Sequence, residues 1–144
     1  GSDGLIPCIT QDIATGQALP ALAIPITVPL IAGGAIATRD YFPGHHDLEA
    51  ARALGSPHIF MNILTTSALV QRFVEEWAGA GAEFKSVKIK LGAPNYPGDT
   101  MTFSGEVSAV DAASRCVDVS LKGKNSMGNH VTGTVRLHLP SPRP

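Results

Sequence analysis

The stretch Ile59-Phe60-Met61-Asn62-Ile63-Leu64-Thr65-Thr66-Ser67-Ala68-Leu69-Val70-Gln71-Arg72-Phe73-Val74-Glu75-Glu76-Trp77-Ala78 organises everything around it. Ile63, Val70, Phe73, Val74 and Trp77 recur near helical spacing, while Gln71, Arg72, Glu75 and Glu76 fall largely between them. Gly79 and Gly81 supply a stop. The pattern predicts one helix over Ile59–Ala78, on the order of 30 Å long. It has too many apolar positions for a helix with one narrow buried stripe, so a sheet is expected to wrap it.

The chain after this helix reads as that sheet. Val87, Ile89 and Leu91 alternate with Lys88 and Lys90, the period-2 pattern of a half-buried strand. Thr100–Val110, Cys116–Lys124 and His130–Leu139 read as three further strands, with Asn95-Tyr96-Pro97-Gly98-Asp99 as a turn and tight connections at 111–114 and 125–129. The expected fold is α+β: a single hotdog domain over residues 3–144, an antiparallel curved sheet wrapped around one long central helix. Gly1-Ser2 looks like a cloning scar.

Upstream, Asp12–Pro29 reads as an entry segment whose prolines, Pro25 and Pro29, confine it to edge or irregular strand. Leu30–Thr38 reads as a short or bulged strand feeding a loop. Leu48–Leu54 is helix-permissive, and Gly55-Ser56-Pro57 breaks it.

Composition narrows the functional classes. Of 144 residues, 44% are hydrophobic and 16% charged, which suits a packed core. The net charge of −1 gives no basic surface for nucleic acid. The mostly apolar run Ala21–Ala37 contains two prolines and two glycines and falls short of the ~20 residues that span a bilayer. Cys8 and Cys116 form no metal or redox motif and are expected as reduced thiols. The expected protein is cytoplasmic and acts on a small molecule or with another protein.

One loop carries the chemistry. Asp40 and His45 lie five positions apart, with Pro43 and Gly44 between them to fold the chain. A carboxylate and an imidazole held together activate one water molecule, which is what addition across a conjugated double bond requires. Histidine suits proton traffic near neutrality. By spacing alone the pair reads equally as a turn-former and a solvated surface histidine.

The run Asp40-Tyr41-Phe42-Pro43-Gly44-His45-His46-Asp47 resembles the signature of the MaoC-like, or hydratase 2, family: Gly-Asp-x-Asn-Pro-Leu-His-x-Asp. Asn62-Ile63-Leu64-Thr65 is similar to that family's Gly-Met-Leu-Thr helix start, and the run from Pro97 to Val107 to its Pro-Gly-Asp-Thr strand signature. The resemblance covers residues 30–139. It implies a hydro-lyase acting on an enoyl-CoA thioester, with Asp40 and His45 catalytic. A backbone N–H at Asn62 or Ile63 would polarise the thioester carbonyl, and no metal or redox cofactor is implied. A helix N-terminus is physically suited to that task, because its first N–H groups lack intrahelical acceptors.

Three positions depart from the motif: Arg39 replaces glycine, Phe42 asparagine and Gly44 leucine. With the His-His-Asp run, they resemble the small catalytic subunit of bacterial steroid side-chain hydratases. That resemblance implies a bulky enoyl-CoA and a second MaoC-like subunit as partner, with a homodimer as the alternative assembly. Two other functions remain open: a hotdog acyl-CoA thioesterase, and a non-catalytic subunit completing a partner's active site. His46, His58, His130 and His138 are expected to be non-catalytic. Glu75 and Glu76 are expected on a solvated face, and Lys88, Lys90, Lys122 and Lys124 on exposed strand faces.

Overall fold

The computed structural model describes residues 13–140, so Gly1-Ser2 and Cys8 lie outside the described residues. Five strands, three α-helices and one turn of 3-10 helix follow each other. They are β1 (Leu22–Pro25), α1 (Val28–Ala37), the 3-10 turn (Pro43–His45), α2 (Leu48–Ala53), α3 (Ile63–Ala78), β2 (Glu83–Leu91), β3 (Thr100–Asp111), β4 (Cys116–Asn125) and β5 (Gly128–His138). The strands form one antiparallel sheet in the order β1-β3-β4-β5-β2.

Period-2 patterning decides which face of the sheet is buried. Met101, Phe103 and Val107 of β3, Val117, Val119 and Leu121 of β4, and Val131, Val135 and Leu137 of β5 are all buried. They meet Leu69, Val70, Phe73, Val74 and Trp77 of α3 in one core. The Phe73 and Phe103 rings stack with centroids 5.2 Å apart. Gly123 sits on the same face, where a Cβ would meet Met101 Sδ and Val131 at 2.9 Å. Side chains of the two neighbouring strands thus fill the space above Gly123.

The helix is shorter than the sequence predicts. It begins at Ile63 with Asn62 as N-cap and runs 16 residues, while residues 59–62 precede it without regular structure. Eight of its residues are buried, and Gln71, Arg72, Glu75 and Glu76 lie exposed on the far side. Arg72 and Glu76 pair there at 2.9 Å. Lys88, Lys90, Lys122 and Lys124 are exposed, as the alternation predicts. Cys116 is buried with a free thiol.

One expected element is wrong. Leu30–Thr38 is not a strand but most of α1. Thr27 caps that helix through its hydroxyl, which accepts from Leu30 N at 3.1 Å. Pro29 occupies the first turn, where a missing N–H costs nothing. The segment is apolar nearly all round, so helix and buried strand have the same local pattern. No helix among the described residues is long and apolar enough to cross a membrane.

Candidate active site

The loop after α1 is set by the way that helix ends. Asp40 N donates to Ala35 O at 2.8 Å and Arg39 N to Ile36 O at 3.0 Å, the pairing of a Schellman cap. Arg39 occupies the left-handed position of that cap, with φ of 57°. The geometry explains why the related motif has glycine here. Asp40 is thereby aimed back at the start of α3.

Asp40 and His45 do meet. Asp40 Oδ2 lies 3.3 Å from His45 Nε2. His45 is buried, with Nδ1 2.7 Å from Phe60 O. A carbonyl only accepts, so Nδ1 donates to it, and Nε2 is the ring nitrogen that faces the carboxylate. With Nε2 unprotonated, the ring nitrogen and the carboxylate oxygen would both accept from one water molecule.

The imidazole is boxed by aromatic rings. Phe60 and Phe42 meet it edge-on, with centroids at 4.8 and 5.4 Å. At Gly44 a Cβ would meet both phenyl rings at 2.9 Å. Phe42 and Gly44 are therefore a coupled departure from the motif: the rings occupy space that a side chain at position 44 would need.

Asn62 makes contacts that spacing does not suggest. Its side chain is buried, and Oδ1 accepts from Thr65 N at 3.1 Å, capping α3. Nδ2 donates to Asp40 Oδ2 and to Thr38 Oγ1, both at 3.0 Å. Phe42 N donates to Asp40 Oδ1 at 3.3 Å. The Asn62 amide, more than any other group, holds the Asp40 carboxyl below its ordinary value of 3.8; partial desolvation opposes it, and the Phe42 N–H and His45 assist it. Asp40 is thus an anion at neutral pH. Among the described residues, no acceptor faces the backbone N–H groups of Asn62 and Ile63, and Ile63 is exposed.

His130 is placed less remotely than its sequence position suggests. It is buried, with Nδ1 2.7 Å from Ala93 O and Nε2 2.8 Å from Thr66 Oγ1 in the first turn of α3. Burial pushes its imidazole below the ordinary value of 6.5, against the pull of the Ala93 carbonyl. It pins the start of the helix to β5 and does not touch the dyad. His46 is exposed, and His58 accepts from Ile59 N at 2.8 Å in the approach to α3. His138 pairs in the sheet with Glu83 and Cys116. Among the described residues, no group of three metal-ligating side chains converges.

Residues 12–127 match the model of the MaoC like domain. The chain belongs to the MaoC-like family. It is 47% identical over 124 residues to the 3-oxo-4,17-pregnadiene-20-carboxyl-CoA hydratase beta subunit of Mycobacterium tuberculosis, covering 86% of this chain and 95% of that one. It superposes on a chain of the ChsH1-ChsH2 complex from the same organism with a TM-score of 0.85 and 46% identity, covering 88% of this chain and 98% of that one. The (R)-hydratase from A. caviae, involved in PHA biosynthesis, shares the fold at a TM-score of 0.83 and 20% identity, over 91% of this MaoC-like chain and all of that one. The sheet wrapped around α3 is therefore the hotdog fold of the family.

Thr38, the Phe60 carbonyl and the Asn62 amide side chain are the parts of the site that spacing missed. A threonine that ends a helix and a backbone carbonyl carry no sequence signal. The N-cap position of Asn62 was the one available clue.

Proposed function

We propose that this MaoC-like chain adds water across the α,β double bond of a bulky enoyl-CoA thioester, of the steroid side-chain class named for its M. tuberculosis relative. The observation that carries the proposal is the 3.3 Å approach of Asp40 Oδ2 to His45 Nε2. A water held between them donates one hydrogen bond to the Asp40 carboxylate and gives its other proton to His45 Nε2. The oxygen then bonds to the β-carbon, and the π electrons move to the α-carbon and thioester oxygen. The enolate oxygen is stabilised at the N–H of Asn62 or Ile63, at the positive end of α3. His45 returns the proton to the α-carbon. Water is consumed whole, and no metal or redox cofactor takes part.

The same proposal assigns a second MaoC-like subunit as partner. Phe42, Ile63 and Leu64 flank the dyad and its helix start and are 46%, 50% and 47% exposed. A large acyl group, a partner subunit, or both would cover them. Action in the cytoplasm belongs to this proposal too.

The test is the absorbance of a conjugated steroid enoyl-CoA mixed with this chain, with and without its MaoC-like partner. Loss of the enoyl signal, abolished by His45→Ala, supports hydration. Release of free CoA from a saturated acyl-CoA in place of hydration would turn the assignment to a thioesterase. Full activity of the assembled complex with Asp40→Ala would leave this chain a non-catalytic subunit.

A further inference from the structure

We propose that Asn62 is a positioning residue for this hydration, its side-chain amide orienting the Asp40 carboxylate and locking it to the N-terminus of α3. The inference rests on the proposed role of Asp40 and goes beyond it, because nothing in the family motif places an asparagine side chain here. The motif has glycine at this helix start and asparagine at position 42, where this chain has phenylalanine. The amide missing from the loop is present on the other side of the carboxylate.

The orientation of the amide is not free. Its oxygen accepts from Thr65 N, so Nδ2 must face Asp40 and Thr38. A flipped amide would set N–H against N–H at Thr65 and oxygen against carboxylate at Asp40. Both amide hydrogens and the oxygen thus have partners inside the protein, and the side chain is 2% exposed. One consequence follows for Asp40. Oδ2 is the oxygen that approaches His45, and buried Asn62 donates to that same oxygen. A second consequence follows for the helix. Asp40 is joined through one side chain to the cap of α3, so the carboxylate and the thioester-binding N–H groups move as one unit.

The titratable group facing Asp40 is His45, from the 3-10 turn. The first turn of α3 carries no acidic residue and the last turn of α1 no basic one. Thr38 contributes a hydroxyl that does not contact Asp40; it donates to Gly34 O and Ala35 O.

Asn62→Ser separates the two tasks of the side chain. A serine hydroxyl still caps α3 at Thr65 N, but it is too short to reach Asp40. The carboxyl carbon resonance of Asp40 is titrated by NMR in wild type, Asn62→Ser and Asn62→Asp, and kcat and KM are measured under the conditions in which wild type is active. In Asn62→Ser the Asp40 midpoint rises toward the ordinary carboxylate range. Its kcat falls roughly tenfold, the usual worth of a hydrogen bond to a charged group, with KM little changed. Asn62→Asp keeps the cap but sets a second carboxylate beside Asp40, and raises the midpoint further. An Asn62→Ser protein with the wild-type Asp40 midpoint overturns the proposal, whatever happens to kcat. A wild type that hydrates no enoyl-CoA defeats the proposed function instead, while the titration still decides whether the clamp exists.

Discussion

Gly34 of α1 lies against the side chain of Thr65 in α3, with no room for a methyl group between them. The two helices touch at this point, and α1 ends four residues later in the cap that aims Asp40. Gly34 is therefore needed for close approach, although its backbone is ordinary helix. Gly34→Ala should cost about 1–3 kcal/mol through overpacking. Thr65 Oγ1 is buried without a partner, so Thr65→Ala forfeits no hydrogen bond. Urea unfolding of both single variants and the double should reveal coupling: the double is more stable than the summed losses predict.

Arg39 should respond in the opposite direction. Its φ of 57° is a conformation that costs a non-glycine residue about 1 kcal/mol. Arg39→Gly relieves that strain, partly offset by greater freedom of the unfolded chain. The expected result is a Tm higher by a few degrees, read by calorimetry. A lower Tm would mean that the arginine side chain makes contacts that outweigh the strain.

The state of Asp40 sets the shape of the pH–rate profile. The Asn62 amide lowers its carboxyl below the ordinary 3.8, so Asp40 is ionised wherever the protein is folded and assayable. A group with a lowered folded value keeps its anionic contribution as pH falls, and loses it only when pH drops through that lowered value. No loss of kcat/KM between pH 8 and roughly pH 5 is then attributable to Asp40. Asp40→Asn should lose roughly 10²- to 10⁴-fold in kcat at every pH, with no recovery in alkali. Recovery at high pH would mean that Asp40 serves as a titrating base.

His130 links pH to stability. Its imidazole is pushed below the ordinary 6.5 by burial, so the unfolded chain takes up a proton more readily than the folded one. Above about pH 6.5 both states are neutral there and the group contributes no pH dependence. As pH falls below that value, the unfolded state gains the proton first and stability declines, until the folded His130 also protonates. Urea midpoints from pH 7.5 to 5 should fall in wild type. In His130→Gln the midpoint is lower at neutral pH, because the bonds to Ala93 and Thr66 are disturbed, but its slope with pH is smaller. Equal slopes in the two proteins would remove His130 as the source.

The sequence by itself determined the long helix, the four strands that follow it, and the loop in which Asp40 and His45 stand five positions apart. These are local patterns: a 3.6-residue period, a 2-residue period and a short motif, each written within one stretch of chain. Where periodicity is silent, the tertiary structure decided. Leu30–Thr38 is apolar nearly all round, and its packing against Thr65 and its caps at Thr27 and Thr38 favour the helix. The Asn62–Asp40 clamp spans 22 positions and the Thr66–His130 bond 64. Contacts at such separations have no period, because they depend on where α3 comes to rest against the sheet and the end of α1. The Phe60 carbonyl that accepts from His45 Nδ1 is a backbone group, identical in every residue type; folding alone gives it a role.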